Sequence, residues 1–235
     1  MSEETREELA RARAELLRAE ASLAAAETRK AAAEASTAES EARAAEIALD
    51  REELKRRDEL AADEFHRVYR FSGAVASDSV KNCVATLSRW HRVDPNCFIT
   101  LVFHSPGGEV VAGFALWDFL MELKETHHLT TVARGYAASM AGILLQAGHV
   151  RVMGAEASLL IHEGSFGAIG TVGSVEDTVE WVRKLQDRIL DIFAARSKMS
   201  RAQLKRRWHR KDWWLTSDEA LKYGFVDEVG GGGVV

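Results

Sequence analysis

Three residues stand where an acyl-transfer site would need them. Ser139 follows the stretch 132–138, in which a β-branched run stops at Gly135 and the small Ala137 and Ala138 lead into an apolar, helix-like segment. A serine at such a strand-to-helix turn faces free N–H groups and the positive end of a helix, which favour a developing anion. Its plainest role there is that of an N-cap. As a nucleophile its hydroxyl is weak until a neighbouring base takes the proton. His162 ends the apolar run 158–161, at the strand end where α/β sheets carry functional groups. A carboxylate should orient that imidazole and stabilise its charged form, and Asp212, between a basic stretch and Trp213-Trp214, is the candidate. Gly107-Gly108, after another apolar run, can bring a bare N–H close to a substrate carbonyl. Gly108 and Met140 together would supply the N–H groups of an oxyanion hole.

The elements needed to position these residues are readable. A β-like run over 68–75 precedes a helical period over 77–92, carried by Val80, Val84, Leu87 and Trp90. The continuous apolar run 98–103 (FITLVF) predicts a strand buried on both faces. A helix over 110–123 and a strand over 129–133 follow. Strands are expected at 150–153 and 158–161, and a glycine-rich strand or hairpin at 164–173. Val175, Val179, Val182, Leu185, Ile189 and Phe193 mark an amphipathic helix over 174–195. Ser200 should cap a short basic helix. Thr216 and Glu219 form a capping box for a last helix, ended by Gly224 before a terminal strand at 225–229. The β–α alternation predicts an α/β fold with a mostly parallel sheet.

Composition divides the chain before that. Residues 3–64 are Ala, Glu, Arg and Leu without a glycine or proline, which predicts one long helix. A heptad register runs through it, with Leu9, Leu16 and Leu23, then Lys30, Thr37, Ala44, Arg51 and Asp58 on one seam position and Ala12, Ala19, Ala26, Ala33, Ser40, Ile47, Leu54 and Ala61 on the other, a seam that buries little area. The expected domains are a coiled-coil extension at 1–64, a globular domain at 65–229 and a glycine-rich tail at 230–235. The net charge of −5 gives no general case for nucleic acid or an anionic membrane. Two cysteines, Cys83 and Cys97, stand apart and read as reduced thiols. The charged N-terminus and the lack of a long apolar run predict a cytoplasmic chain with no membrane span. No cofactor or metal is expected; His127-His128 beside Glu125 reads as a solvated helix end, and His104 as a hydrogen-bonded loop histidine.

GYAASM, LLIHEG and KDWWLTSDEAL–YGFVDEV, with HSPGGEVVAG upstream, resemble the ClpP family, the proteolytic subunits of Clp proteases. The resemblance spans roughly residues 67–229. It implies that Ser139 is the nucleophile, His162 the general base and Asp212 the triad acid, with Gly108 and Met140 as oxyanion donors. It further implies a crotonase-like spiral of βαβ units and heptameric rings stacked face to face around a closed chamber. The helix from Ser174 and the strand before it would join the rings. Substrates would be short or unfolded polypeptides, delivered by a separate ATP-driven (AAA+) unfoldase where ATP-dependent activity is needed.

Several features depart from that pattern. His104 stands where the family usually has Asn, and Glu163-Gly164 where it has Gln-Pro. The long helix occupies the place of short axial loops that meet the unfoldase. Three rival readings accordingly stand beside a general peptidase: a phage prohead or assembly maturation protease recruited by its coiled coil, an inactive ring serving as an assembly platform, and a crotonase-type acyl-CoA enzyme.

Overall fold

The computed structural model describes residues 2–230. The chain divides into two compact units after Ala61. The first is a single helix, α1 (Glu3–Ala61), with no buried residue. Strong helix formers sustain it, and exposed i,i+4 pairs such as Lys30–Glu34 and Lys55–Glu59 add a little. Of the expected tail at 230–235, residues 231–235 lie outside the described residues.

The second unit is the α/β fold that the alternation predicts. Its elements run β1 (Val68–Ser72), α2 (Ser77–Val93), β2 (Ile99–Ser105), α3 (Val110–Leu123), β3 (Leu129–Ala138), α4 (Met140–Leu145), β4 (Val150–Met153) and β5 (Ser158–Ile161). They continue through α5 (Val172–Ala195), α6 (Arg201–Trp208), β6 (Trp213–Thr216), α7 (Ser217–Tyr223) and β7 (Glu228–Val229). Among the described residues the sheet has seven strands, in the order β1-β2-β3-β4-β7, with β5 branching from β3 and β6 pairing with β5. Every pairing is parallel except β5 with β6.

The branch is the feature that builds the site. The first half of β3, Thr130–Ala133, pairs with β4, and its second half, Tyr136–Ala138, pairs with β5. The change of partner falls at Gly135, which has a φ of 68°. A Cβ there would lie 2.5 Å from His104 Nδ1, so the turn needs glycine. At this branch α4 packs against β2, β3 and β5, and α3 and α5 pack against α4. Leu101, Phe103, Leu116, Leu120, Leu144, Leu159 and Phe193 are among the buried residues of the main core. Val68, Val102, Val132 and Val152 form a second, smaller cluster.

Sequence expectations differ from the structure at a few elements. Residues 164–171 form neither strand nor hairpin, and Phe166 and Ile169 are exposed. Thr171, not Ser174, is next to the start of α5, and its side chain accepts from the Ser174 N–H as the N-cap. The terminal strand shrinks to Glu228–Val229, because Phe225 and Val226 turn into the core. β6 has no counterpart in the expected elements. The capping box at Thr216/Glu219 forms as read, Ser200 caps α6 and with Gln203 completes a box of its own, and Gly224 ends α7 in the left-handed region with φ 78°.

Candidate active site

Ser139 lies between the last residue of β3 and the first of α4. Its backbone adopts φ 54° and ψ −122°, a region that L-residues rarely occupy. Two groups of bonds hold it there. The Ser139 N–H donates to the Leu160 carbonyl on β5 at 3.0 Å, while the Ser139 carbonyl accepts from Gly142 N–H at 3.0 Å and Ile143 N–H at 3.3 Å. The side chain makes no capping hydrogen bond. The plain N-cap role is therefore not what this hydroxyl performs; it stands half-buried, without a hydrogen-bond partner among the described residues.

His162 follows from the same strand. Ala138 and Leu160 are register partners, so the chain reaches His162 just beyond the point where Ser139 is anchored. On the other side of β5, β6 runs antiparallel with Ile161 opposite Trp213. One step further along that pairing puts Asp212 opposite His162, and residues directly opposite share a face of the sheet. The His162 Nδ1 and Asp212 Oδ1 are 3.2 Å apart. The imidazole is mostly covered and the Asp212 side chain is 66% exposed. His162 Nε2, the nitrogen left to act on a hydroxyl, is buried without a hydrogen-bond partner. The contact between Ser139 and His162 is thus open here. Hydrogen bonds of this kind are commonly long without substrate and tighten in the complex.

The glycine pair closes the other side. Gly107 has φ 85°, and a Cβ on it would stand 2.7 Å from Ser139 Cβ and 2.8 Å from Met140 N. Gly108 has φ 152°, and its Cβ would meet the Val75 carbonyl oxygen at 2.2 Å. Only bare backbone fits at either position. Val75 N–H donates to Gly107 O and Glu109 N–H to Val75 O, both at 2.8 Å. This bridge leaves the Gly108 N–H uncommitted among the described residues, as is the Met140 N–H at the start of α4. Beside them opens an apolar cleft of about 330 Å³, lined by Val110, Phe166, Trp181, Val182, Leu185 and Ile189 among others.

Other polar groups are committed elsewhere. The carboxylates of Asp187 and Asp191 on α5 pair with Arg201. His104 lies in β2 and not in a loop; it is hydrogen-bonded as expected, with Nδ1 3.0 Å from the Arg134 carbonyl, and its ring packs edge-on against Tyr136. His127 is not solvated: it is buried, with Nδ1 2.9 Å from Cys97 O and Nε2 2.8 Å from His91 Nδ1. Its tertiary partners, not its place at a helix end, decide its environment. Among the described residues no group of three His, Cys, Asp or Glu is placed to hold a metal ion. Burial raises the pKa of both thiols, most strongly for Cys83, which disfavours the thiolate form. No helix of the described residues is long and apolar enough to cross a membrane.

Residues 50–232 match the Clp protease family. Among curated proteins the chain is similar to the ATP-dependent Clp protease proteolytic subunit of Deinococcus radiodurans, 33% identical over 157 residues that cover 66% of this chain and 76% of the relative. The subunit of the same name from Bacteroides fragilis is 33% identical over 171 residues, covering 68% and 77%. That of Bacteroides thetaiotaomicron is 33% identical over 171 residues, covering 68% and 72%.

Proposed function

The chain belongs to the Clp protease family, a family of peptidases, and from this we propose that it is a serine endopeptidase acting through Ser139, His162 and Asp212. In this reading the Ser139 hydroxyl attacks a peptide carbonyl while His162 Nε2 takes its proton. The developing oxyanion accepts hydrogen bonds from the Gly108 and Met140 N–H groups. His162 then returns the proton to the leaving amine, and water hydrolyses the acyl-enzyme by the same steps. Asp212 holds the imidazole through Nδ1. The apolar cleft beside Gly108 would seat an apolar substrate side chain. The observation that carries the reading is the pairing of β3 with β5 and of β5 with β6, which draws the serine, the histidine and the aspartate to one sheet end.

The family likeness supports a wider setting. We read the globular domain, 65–229, as one subunit of stacked heptameric rings with the active sites inside, working in the cytoplasm on short or unfolded polypeptides. No metal or cofactor enters the proposed steps. An ATP-driven unfoldase would be a separate protein, because this chain has no phosphate-binding loop of its own. The exposed seam of α1 favours a second element of the reading: the helix pairs as a coiled coil, either with copies of itself or with a partner that recruits the peptidase to an assembling structure.

Labelling with a fluorophosphonate, followed by intact mass, tests the chemistry. One adduct on the wild-type chain that disappears in Ser139→Ala is the expected result. No adduct on a folded, assembled ring would replace the peptidase with a catalytically silent platform.

A further inference from the structure

The proposed triad leaves one mechanical question open, namely what holds Asp212 in place. Its carboxylate is largely exposed, and His162 is its one ion-pair or hydrogen-bond partner among the described residues. A triad acid is ordinarily buried and oriented by further bonds. The ladder gives no more help, since the β5–β6 pairing ends at Ile161 opposite Trp213. Upstream, α6 stops at Trp208, and the chain turns through Arg210 with φ 53°, a left-handed conformation that a non-glycine residue adopts at a cost. Such strain persists only where the surroundings over-determine it.

Glu163 supplies that determination. It directly follows His162 on the same strand end. One oxygen, Oε1, lies 2.9 Å from His209 Nδ1, and the other, Oε2, accepts the Arg210 N–H at 3.3 Å. A single carboxylate thus ties both residues at the top of the turn to the strand that carries the histidine. Two links now span one gap: Glu163 to His209 and Arg210, and His162 to Asp212. Without the first, the turn is free to relax out of its left-handed conformation and carry Asp212 away from Nδ1.

We propose that Glu163 is a positioning residue that acts through Asp212: with His209 and the Arg210 N–H it clamps the turn that presents the aspartate to His162. The proposal rests on the triad reading above.

The rate of fluorophosphonate labelling at Ser139, read by intact mass on the full-length chain, is the measurement. Glu163→Ala is expected to label about 10- to 100-fold more slowly than wild type, the loss that follows from a misplacement of about 1 Å. Glu163→Gln keeps an oxygen for one of the two bonds and should recover part of the rate. In an Asp212→Asn background, Glu163→Ala should add nothing, because the path to the histidine is already cut. Equal losses in both backgrounds, or no loss in the wild-type background, would overturn the positioning role alone. Absence of any adduct on wild type would instead bring down the triad reading, and the positioning role with it. Circular dichroism of each variant separates a lost clamp from a lost fold. Should Glu163→Ala fail to fold, the Glu163→Gln cycle in the two backgrounds decides the matter by the same additivity rule.

Discussion

Asp212 faces His162 because Ile161 and Trp213 are antiparallel partners, and the next step along both chains brings Oδ1 to 3.2 Å from Nδ1. In the proposed mechanism the carboxylate holds the imidazole in the tautomer whose Nε2 can accept a proton. Asparagine would keep the shape but remove the charge, and its amide N–H₂ can favour the wrong tautomer. For a buried triad aspartate this exchange lowers kcat by about 10⁴. Asp212 is two-thirds exposed, so water screens and partly replaces it. The expected fall in kcat for a fluorogenic peptide is therefore about 10²- to 10³-fold in Asp212→Asn. An unchanged kcat would remove Asp212 from the site.

The strain at Ser139 predicts a trade between stability and activity. Its φ of 54° with ψ of −122° costs a residue with a Cβ about 1–3 kcal/mol. Glycine escapes that cost but loses about 0.5–1 kcal/mol to its unfolded-state freedom. Ser139→Gly should therefore be about 0.5–2 kcal/mol more stable than Ser139→Ala by chemical denaturation, with both inactive. A Ser139→Gly variant less stable than Ser139→Ala by about 0.5–1 kcal/mol would mean that the turn stores no strain.

Ser139 and His162 are legible as candidates because each ends an apolar run, and the glycine pair because it follows one. Asp212 is different. The strand that aims it, β6, is a run of four residues whose last member, Thr216, is also the N-cap of α7, so periodicity cannot find it. The order of residues suggests the aspartate; only the register with β5 explains its direction. The stretch 164–171 misleads in the opposite sense. Its glycines and its apolar Phe166 and Ile169 resemble a strand, yet a strand needs an edge to pair with, and this one has none within the described chain. His127 misleads for want of its partners, since the Cys97 carbonyl and the His91 ring come from other elements.

Acid should loosen the junction of β4 and β7. Burial alone would raise the Asp227 pKa. Hydrogen bonds from the Arg151 side chain and N–H, with the charges of Arg151 and Arg196, outweigh that and hold the carboxyl below its ordinary range. A depressed carboxyl contributes stability that is fully present above the unfolded value of about 3.9 and is lost as pH falls through the folded one. At pH 7, Asp227→Asn leaves the Arg151 guanidinium, only 7% exposed, without its counter-charge. The expected cost is about 1–3 kcal/mol, toward the lower end because Asp227 itself is partly exposed. Denaturation at a series of pH values should show the gap between variant and wild type closing below about pH 4. A gap that persists unchanged into acid would mean that charge is not its source.

The pairing of α1 can be tested for direction. With Leu9, Leu16 and Leu23 on one seam position and Ala12, Ala19 and Ala26 on the other, a parallel, in-register pair sets Glu8 against Arg13 of the second copy, Arg29 against Glu34 and Asp50 against Lys55. In that arrangement Glu15 against Glu20 repels, as do Lys30, Arg51 and Asp58, each of which meets its own copy on the seam. An antiparallel pair of full overlap instead sets Glu20 against Glu41 and Glu27 against Glu34, each twice. Exposed pairs are worth about 0.2–1 kcal/mol each, enough in sum to choose a direction for a seam that buries little area. Ala19 would then meet Ala19 of the second copy, whereas the antiparallel arrangement would bring it to Ala44. Ala19→Cys should cross-link with itself under mild oxidation, beyond what Cys83 and Cys97 of the native chain allow. Cross-linking that appears only when Ala19→Cys is mixed with Ala44→Cys would reverse the direction. No cross-link in either case would leave α1 to a partner other than itself.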